Sequence, residues 1–498
     1  MSVDLTQFEL LLAELELRGG ANPKLFDRRS PLLLSRAPGR LDVMGGFADY
    51  SGSLTLEMPI REAAFVAVQE TDEPLVRVRS AGFGPAAGPL REAAFPSSEI
   101  REHSQSYARA RAYFQRRPEQ AWTGYVAGAL AALRVELERE IGLGLNILVA
   151  SNVPEGKGVS SSAAIEVASF CALSSLYGVH VEPIQTAVMC QRIENLVVGA
   201  PCGLMDQMTS SCGLEGQLLP LLCQPAELQT RFAIPPELGL WGIDSGLRHQ
   251  VSGADYGEVR VAAFMGYAMI ARALGFVIEA GPEQGRIRIK DDVYRGYLAN
   301  VSPASFEKEH RANLPERLSG AEFLGEFAGI SDPITRVAPE AVYRVRAATA
   351  HPIYEHRRAG EFRDLMQHHS AKDKGPRLGE LMYEAHDSYS ACGLGSTGTD
   401  RIVELVRKIG VAGGLFGAKI TGGGSGGTVA VLGRAEAEPA IRAVIRDYAG
   451  ETGHAPHLFW GSSPGAAQFG IAEVIWTGDR WRVESKVRGQ TTTERGAP

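Results

Sequence analysis

Long apolar runs are missing from this sequence of 498 residues. No stretch reaches the ~18 consecutive apolar residues that a membrane-spanning helix requires. The amino-terminal stretch, 1–17, is acidic and amphipathic, and it lacks the basic start and apolar run of a signal peptide. We therefore expect a cytoplasmic protein that has no membrane partner.

Paired cysteines are also missing. Six cysteines occur, with no Cys-x-x-Cys pair and no spacing to histidine that is typical of zinc ligands. Such isolated thiols are typical of a reducing compartment, so we expect them to be reduced and mostly buried. The six are Cys171, Cys190, Cys202, Cys212, Cys223 and Cys392.

An excess of positive charge is absent as well, because the net charge is −7 at pH 7. Nucleic acids and anionic membranes attract basic surfaces, so neither is an expected partner. A local basic pocket for phosphate is still compatible with this charge. A small-molecule partner fits the composition best, and the sequence does not indicate an oligomeric state.

What the sequence does contain is enough apolar material for two or three buried cores, with 44% hydrophobic and 22% charged residues. Helical and strand-like patterns are mixed along the chain, which predicts an α+β fold. We place a domain boundary near residue 228, between an N-terminal domain, 1–228, and a C-terminal domain, 229–484. The polar end, 485–498, is predicted to be a disordered tail.

Two further expectations concern the middle of the chain. Strand patterns at 217–222 and 240–244 predict a strand pair. The segment 281–332 is rich in charge and proline, and it fits a less regular insertion or surface helices. No function is predicted for that segment.

The two commonest nucleotide-binding fingerprints are absent. Gly156-Lys-Gly has no glycine at the upstream offset of a Walker loop and no Ser or Thr directly after the lysine. Rossmann glycine spacing is not found in a strand–helix context early in the chain. Both folds are therefore disfavoured.

A phosphate-type loop nevertheless stands at 151–164, between a strand-like run and an apolar helical pattern. Gly156 and Gly158 allow close approach of the backbone, and the serines 160–162 place hydroxyl and N–H groups at a helix N-terminus, where the dipole favours an anion. A nucleotide is the first ligand that this loop suggests. The alternative is an ordinary serine-capped helix after a glycine turn. The predicted nucleotide contacts here are Gly156, Gly158, Ser160, Ser161 and Ser162.

A second glycine cluster, 419–432, places five glycines between two strand-like runs. A tight hairpin needs fewer, so a ligand or another backbone is expected to pass close by. Gly423 and Gly424 are the predicted nucleotide contacts in this cluster. A flexible hairpin that binds no ligand is the alternative.

Together these segments resemble a known family. The segments 37–52, 154–164 and 419–427 resemble, in order, the three signature motifs of the GHMP kinases. The segment 199–207 resembles the galactokinase segment that holds the catalytic aspartate. The resemblance implies a two-domain GHMP kinase fold with the active site in the cleft between the domains, and ATP as a substrate.

The resemblance implies that Arg40 and Asp206 are the catalytic pair. A guanidinium beside a carboxylate favours its ionised form, which can accept the proton of a sugar hydroxyl. Arg40 can also stabilise charge on the transferred phosphoryl group. The alternative is a buried structural salt bridge.

Magnesium and adenine contacts are also implied by the family. By position, the Mg²⁺ ligands are Ser162 and Glu194, and hard oxygen ligands suit this ion. For Glu194 the alternative is a solvated helix face. Trp122 lies in a segment similar to one near the adenine base in galactokinases, although a tryptophan in a helix is more often a core residue.

The sugar motif departs from the galactokinase pattern. Galactokinases carry Gly-Glu-His-Thr-Asp-Tyr where this chain has Gly-Gly-Phe-Ala-Asp-Tyr at 45–50. In the family the two exchanged positions, here Gly46 and Phe47, serve the hydroxymethyl end of galactose, and the retained Asp49 holds ring hydroxyls. Because a buried hydroxyl without a partner costs about 1–3 kcal/mol, the change favours a sugar that lacks this group, such as L-arabinose. Tyr256 takes the place of a sugar-contacting tyrosine, with a plain core tyrosine as the alternative.

Other segments resemble the kinase portion of plant L-arabinokinases, namely 39–46, 48–54, 378–383, 388–395 and 461–465. The resemblance implies an ATP-dependent sugar 1-kinase acting on L-arabinose. Two alternatives stay open: a galactokinase or a kinase of another sugar such as glucuronate, and a regulatory sensor that binds ATP and sugar without catalysis.

Overall fold

The computed structural model describes residues 3–18, 25–82, 90–247, 254–368 and 371–487. The strands are β1 (Leu32–Met44), β2 (Leu54–Thr71), β3 (Leu75–Gly82), β4 (Arg91–Pro96), β5 (Gly144–Ser151), β6 (Gln217–Leu222), β7 (Glu227–Leu228), β8 (Phe232–Ala233), β9 (Leu238–Asp244), β10 (Val277–Ala280), β11 (Gly285–Lys290), β12 (Leu318–Ser319), β13 (Gly329–Ile330), β14 (Val342–Tyr343), β15 (Leu415–Ile420), β16 (Thr428–Arg434), β17 (Leu458–Trp460), β18 (Ile471–Trp476) and β19 (Trp481–Val487).

The helices are α1 (Val3–Arg18), α2 (Ser97–His103), α3 (Tyr107–Gln115), α4 (Gly124–Leu137), α5 (Ser161–Leu176), α6 (Pro183–Arg192), α7 (Met205–Cys212), α8 (Ala254–Ala273), α9 (Pro303–Ser305), α10 (Gly320–Glu326), α11 (Val345–His368), α12 (Ala371–Cys392), α13 (Thr397–Ile409), α14 (Glu438–Thr452) and α15 (Ala466–Phe469). Across the described ranges, none of them has both the length and the apolar composition needed to cross a bilayer.

The larger sheet has the strand order β19-β18-β1-β2-β5-β3-β4, and β6 pairs with the first part of β2. Alternate residues of β2 enter different cores: Val66 and Val68 join the cluster that includes α4 and α5, whereas Phe65 and Ala67 join the cluster that includes α1. Both faces of the sheet are therefore covered, and this explains the nearly continuous apolar run in β2.

The smaller sheet has the order β15-β16-β9-β17, with α13 and α14 packed in the same apolar cluster. A separate cluster joins α8 and α11 to the 281–332 segment and includes Phe47 of the sugar motif. The 281–332 segment is thus part of a core: Phe306 and Ile330 are fully buried. The prediction of a less regular segment agrees with its short helices and strands. The prediction of surface helices is wrong, because these elements carry buried apolar side chains.

The predicted α+β class is confirmed, but two local predictions are wrong. The strands 217–222 and 240–244 exist, yet β6 pairs with β2 and β9 pairs with β16, so they do not form a pair. The predicted tail from residue 485 begins too early, because β19 runs to Val487; residues 488–498 lie outside the described residues.

The strands β18 and β19 close the larger sheet, since β18 pairs with the start of β1 from Leu32 to Ser35. The chain therefore returns to the sheet of its first half after building the smaller one. The boundary near residue 228 stays a prediction.

Candidate active site

A cavity of ≈ 390 Å³ brings together residues from all four motif segments. Every residue predicted for the site lines this cavity except Gly46 and Gly424. The predicted residues that line it are Arg40, Phe47, Asp49, Trp122, Gly156, Gly158, Ser160, Ser161, Ser162, Glu194, Asp206, Tyr256 and Gly423.

Arg40 and Asp206 lie in direct contact at one end of this cavity. Arg40 projects from β1, and Asp206 stands in the first turn of α7. The Arg40 Nε and Nη2 atoms lie 2.9 Å and 2.7 Å from Asp206 Oδ1, and Arg40 Nη1 donates to the Gly158 carbonyl at 2.7 Å. One guanidinium therefore joins the carboxylate to the backbone of the phosphate-type loop.

Glu57 lies behind this pair and was not found by the sequence analysis. Its carboxylate is fully buried and lies 3.3 Å from Arg40 Nε. Burial, with the nearby Asp42 carboxylate, raises the pKa of Glu57 well above its usual value. Burial alone would lower the pKa of Arg40. The negative charges of Asp206 and Glu57 outweigh this effect, so the pKa of Arg40 is raised. The available signal was an acidic residue inside the apolar strand β2.

The phosphate-type loop uses its glycines for unusual backbone angles. Gly156 and Gly158 both have φ of 70°, and Ser160 has φ of 61° directly before α5. The Ser160 hydroxyl is buried and finds no hydrogen-bond partner in the described part of the chain. A buried hydroxyl in this state is available to a ligand at the helix N-terminus.

The second glycine cluster packs against that loop. A Cβ atom on Gly427 would lie 2.7 Å from the Lys157 carbonyl, and Thr428 Oγ1 donates to the same carbonyl at 2.8 Å. Gly424 faces the backbone of Leu394 instead of the cavity, because its Cβ would lie 2.8 Å from the Leu394 carbonyl. Glycines in this cluster are thus needed mainly because another backbone segment passes too close for a side chain. Gly423 is the glycine of the cluster that lines the cavity.

Glu194 and Ser162 lie beside the phosphate-type loop. Glu194 is in a π-helical segment, Ile193–Val198, and is only 6% exposed, which contradicts a solvated helix face. Burial and the charge of Asp206 raise the Glu194 pKa to about 7, although a hydrogen bond from Ser162 acts in the opposite direction and lowers it. A carboxylate and a hydroxyl in contact form an oxygen donor set that fits Mg²⁺.

Two further residues support Glu194 and were not predicted. Gln207 Nε2 donates to Glu194 Oε2 at 2.6 Å and to Glu166 Oε2 at 3.1 Å. Glu166 is fully buried, and burial together with the Glu194 charge raises its pKa well above the usual value. Glu166 is the one charged residue of helix α5, and this was the signal for it.

The sugar motif contributes Asp49, which lines the cavity together with Asp206. The Asp49 carboxyl is 5% exposed, and burial and the Asp206 charge raise its pKa to about 7. A Cβ on Gly203 would lie 1.6 Å from Asp49 Oδ2, so only glycine allows this approach. Tyr256 lines the same part of the cavity, with its ring edge-on to Tyr50 at 6.0 Å.

Phe47 forms a fixed wall of the cavity. Its ring stacks on His351 at 4.0 Å and meets Tyr389 edge-on at 4.7 Å, and its backbone N–H donates to Tyr389 Oη at 3.1 Å. Gly46 has φ of 48°, and a Cβ there would lie 1.7 Å from Tyr389 Oη. Gly46 therefore makes room for Tyr389 and does not line the cavity.

A buried ion pair joins the two sheets below the site. Asp42 of β1 and Lys419 of β15 are both fully buried, with Lys419 Nζ 2.7 Å from Asp42 Oδ2. Tyr389 Oη donates to the Gly422 carbonyl at 2.9 Å, and Gly422 N donates to Asp42 Oδ2 at 3.2 Å. The sequence analysis missed this group, although Asp42 stands out as a charge among apolar neighbours.

Trp122 is the penultimate residue of a 3₁₀ segment, Pro118–Thr123, and it lines the cavity together with Tyr125 and Val126. It packs against the main core but is only partly buried. An indole ring is therefore available in the cavity that the phosphate-type loop also lines.

Comparison with protein families gives three matches in chain order. The galactokinase galactose-binding signature matches residues 23–70, the GHMP kinases N terminal domain matches 124–214, and the GHMP kinases C terminal domain matches 355–450. These matches contain the sugar motif, the phosphate-type loop with Asp206, and the second glycine cluster.

Curated relatives cover most of the chain. L-arabinokinase of Arabidopsis thaliana is 42% identical over 492 residues, which are 90% of this chain and 47% of the plant protein. The chain thus spans about half the length of that relative. Galactokinases of Chloroflexus aggregans and Streptomyces coelicolor are each 28% identical, over 85% of this chain and 90% of their own length.

Solved structures share the fold. The galactokinase of Lactococcus lactis superposes with a TM-score of 0.67 at 18% identity, covering 92% of this chain and 98% of that one. The mevalonate kinase of Methanococcus jannaschii gives 0.51 at 14% identity, covering 86% and 96%. The solved structures agree in fold alone, whereas the three ordered family matches and the 42% identical relative show that the chain belongs to the GHMP kinase superfamily.

Proposed function

We propose that the protein is an ATP-dependent sugar 1-kinase that converts L-arabinose and ATP to L-arabinose 1-phosphate and ADP. The observation that carries the proposal is the contact of Arg40 with both Asp206 and the carbonyl of Gly158. It places a carboxylate, a cation and a helix N-terminus around one cavity. Phosphoryl transfer needs this combination of an oriented nucleophile and charge neutralisation.

In this mechanism Asp206 accepts the proton of the anomeric hydroxyl as that oxygen attacks the γ-phosphorus of ATP. Arg40 holds the Asp206 carboxylate in place, and it offsets negative charge on the transferred phosphoryl group. The N–H groups at the start of α5 and the free Ser160 hydroxyl bind the phosphates. Trp122 provides the stacking face for adenine.

Mg²⁺ would be held by Ser162 and Glu194 together with phosphate oxygens. When bound, the ion neutralises charge on the phosphates. Gln207 and Glu166 hold the Glu194 carboxylate in position by the hydrogen bonds of the Gln207 amide. Two protein ligands are typical of Mg²⁺ sites that bind nucleotide phosphates.

For the sugar, Asp49 accepts hydrogen bonds from ring hydroxyls, and Tyr256 lines the cavity beside it. The apolar ring of Phe47, fixed by His351 and Tyr389, offers no hydrogen bond to an exocyclic hydroxymethyl group. A pentose with galactose-like ring hydroxyls leaves no polar group unpaired at this wall. The 42% identity to an L-arabinokinase supports the same substrate.

A phosphorylation assay with L-arabinose, D-galactose and D-glucuronate, each with ATP and Mg²⁺, tests this proposal. We expect kcat/KM for L-arabinose to exceed that for D-galactose by about tenfold or more, the ratio that one unpaired buried hydroxyl produces. A clear preference for D-galactose or D-glucuronate would refute the role given to Phe47 and would favour the second candidate, another sugar 1-kinase. The retained Asp49 and Tyr256 are the observations that favour a galactokinase.

A regulatory sensor without catalysis is the candidate of another class. It would bind ATP and sugar but would release no ADP in the same assay. The contact between Arg40 and Asp206 provides the carboxylate and the cation that phosphoryl transfer needs, and it lines the cavity, so we favour the enzyme.

A further inference from the structure

A buried ion pair connects the 281–332 segment to the sugar side of the cavity. Arg260 of α8 donates to Asp332 through Nε at 2.8 Å and Nη2 at 2.7 Å. The Asp332 side chain is fully buried, and that of Arg260 is 6% exposed. A bidentate pair of this kind fixes the plane of the guanidinium.

Asp332 is itself held from several directions. Its carboxylate accepts hydrogen bonds from Thr335 Oγ1 at 2.6 Å, from the Thr335 backbone N–H at 3.1 Å and from the Ile334 N–H at 3.2 Å. Arg286 of β11 donates to the Asp332 carbonyl and to the Pro333 carbonyl beyond it. The position of the carboxylate is therefore set by its own loop, independently of Arg260.

Arg260 makes its other contacts with residues close to Asp49 of the sugar motif. Its Nη1 donates to the Cys202 carbonyl at 3.1 Å, and its guanidinium lies 5.3 Å from the centre of the Tyr50 ring. Cys202 precedes Gly203, whose missing side chain lets the Asp49 carboxylate approach. The charge of Arg260 also lowers the pKa of Asp49, which partly offsets the increase that burial causes.

The 281–332 segment touches the sugar motif at a second point. Asn300 and Gln224 exchange side-chain hydrogen bonds at 2.8 Å and 3.1 Å, and Gln224 Nε2 donates to the Gly52 carbonyl at 2.8 Å. A Cβ on Gly52 would lie 2.5 Å from the Tyr297 ring. The segment therefore braces both the end of the sugar motif and the loop before Asp206.

We propose that Asp332 is a positioning residue for sugar binding: through Arg260 it fixes the Cys202–Gly203 backbone and the Tyr50 ring around Asp49. The 281–332 segment thereby completes the sugar side of the site, and ATP binding does not depend on it. The inference rests on the proposed function, because the assay uses L-arabinose and ATP.

The test compares Asp332→Asn with Glu326→Gln in the full-length protein. Glu326 pairs with Arg272 of α8 at 2.7 Å, so it joins the same segment to the same helix, but both side chains are about half exposed or more and lie away from the cavity. For Asp332→Asn we expect the KM for L-arabinose to rise about tenfold with the KM for ATP within about twofold of wild type. For Glu326→Gln we expect both values to stay at the wild-type level.

A buried arginine without its carboxylate can prevent folding, so Thr335→Val serves as a milder variant. It removes only the hydroxyl that holds Asp332, and we expect the KM for L-arabinose to rise about two- to fivefold. Direct titration of L-arabinose into each variant without nucleotide should show the same ratios in Kd.

Equal changes in both KM values, or a lowered Tm with unchanged KM values, would overturn the inference and would leave Asp332 as a structural ion pair only. Failure of the wild-type protein to phosphorylate L-arabinose would instead count against the proposed function. The two failures are therefore distinguishable.

Discussion

At the residue scale, Arg40 and Asp206 differ in their freedom to move. The Arg40 side chain is 2% exposed and is fixed by Asp206, Glu57 and the Gly158 carbonyl, whereas the Asp206 side chain is 22% exposed and faces the cavity. A rigid cation beside an accessible carboxylate suits a base that must meet a substrate hydroxyl. The sequence predicted this pair through motif resemblance, but it did not show that Glu57, an acidic residue between apolar neighbours in β2, lies behind it.

Replacing Asp206 with Asn should lower kcat by about 10²–10⁴-fold, because the amide cannot accept the proton of the sugar hydroxyl. ATP affinity should stay within about threefold of wild type, since the phosphate contacts are on the α5 side. Steady-state ADP release and nucleotide titration measure the two quantities. The matched control is Asp27→Asn, which removes a carboxylate from the exposed pair with Arg29 and should change neither. A kcat within tenfold of wild type would contradict a base role for Asp206.

Sugar binding should depend on pH through Asp49, whose pKa is raised to about 7 by burial and by Asp206. Below that pH the carboxyl takes up a proton and loses acceptor capacity for the sugar hydroxyls. The Kd for L-arabinose, measured by calorimetry without nucleotide, should therefore increase as pH falls from about 8 to 6, by up to about tenfold per unit below pH 7. Asp49→Asn should bind weakly with no such trend; the same slope in this variant would assign the dependence to another group.

At the scale of elements, local patterns predicted α5 well. The sequence predicted an apolar helix after the phosphate-type loop, and the structure has α5 there, beginning at Ser161. Strand pairing was not predictable in this way, because the partners of β6 and β9 are distant in sequence. The π-helical turn that buries Glu194 also leaves no local signal.

The contact between the two glycine-rich segments gives a prediction at this scale. Thr428 Oγ1 of β16 donates to the Lys157 carbonyl, so Thr428→Val should loosen the phosphate-type loop and raise the KM for ATP about two- to tenfold. The KM for the sugar should not change. Thr452→Val is a suitable control, because Thr452 Oγ1 makes an equivalent 2.8 Å bond to the Tyr448 carbonyl within α14. Similar effects in both variants would mean that general stability is responsible.

At the scale of the whole molecule, the two sheets are joined by the Asp42–Lys419 pair. No local pattern predicted this ion pair, because its two residues lie on strands of different sheets. Each of them is nevertheless a charged residue between apolar neighbours in the sequence. Most of the residues that the resemblance named line the cavity, and Phe47 is among them. Gly46 does not line it, because Tyr389 of α12, far along the chain, occupies the space beside it.

Replacing Asp42 with Asn should lower the free energy of unfolding by about 3–5 kcal/mol, because it leaves the Lys419 ammonium buried without a counter-charge. Urea denaturation measures this change. Adding Lys419→Met removes the unpaired charge, so the double variant should recover a large part of the loss. A loss below about 1 kcal/mol for the single variant would show that other groups compensate Lys419.

The pairing of β1 with β18 also bears on how the polypeptide folds as it is synthesised. Until Ile471–Trp476 has left the ribosome, one edge of β1 has no neighbouring strand to bind. Exposed strand edges promote aggregation, so a nascent chain halted before this point would be a target for chaperones or proteases. Because β1 carries Arg40, a truncated product would lack both a finished sheet and a stable position for the arginine that we propose as catalytic.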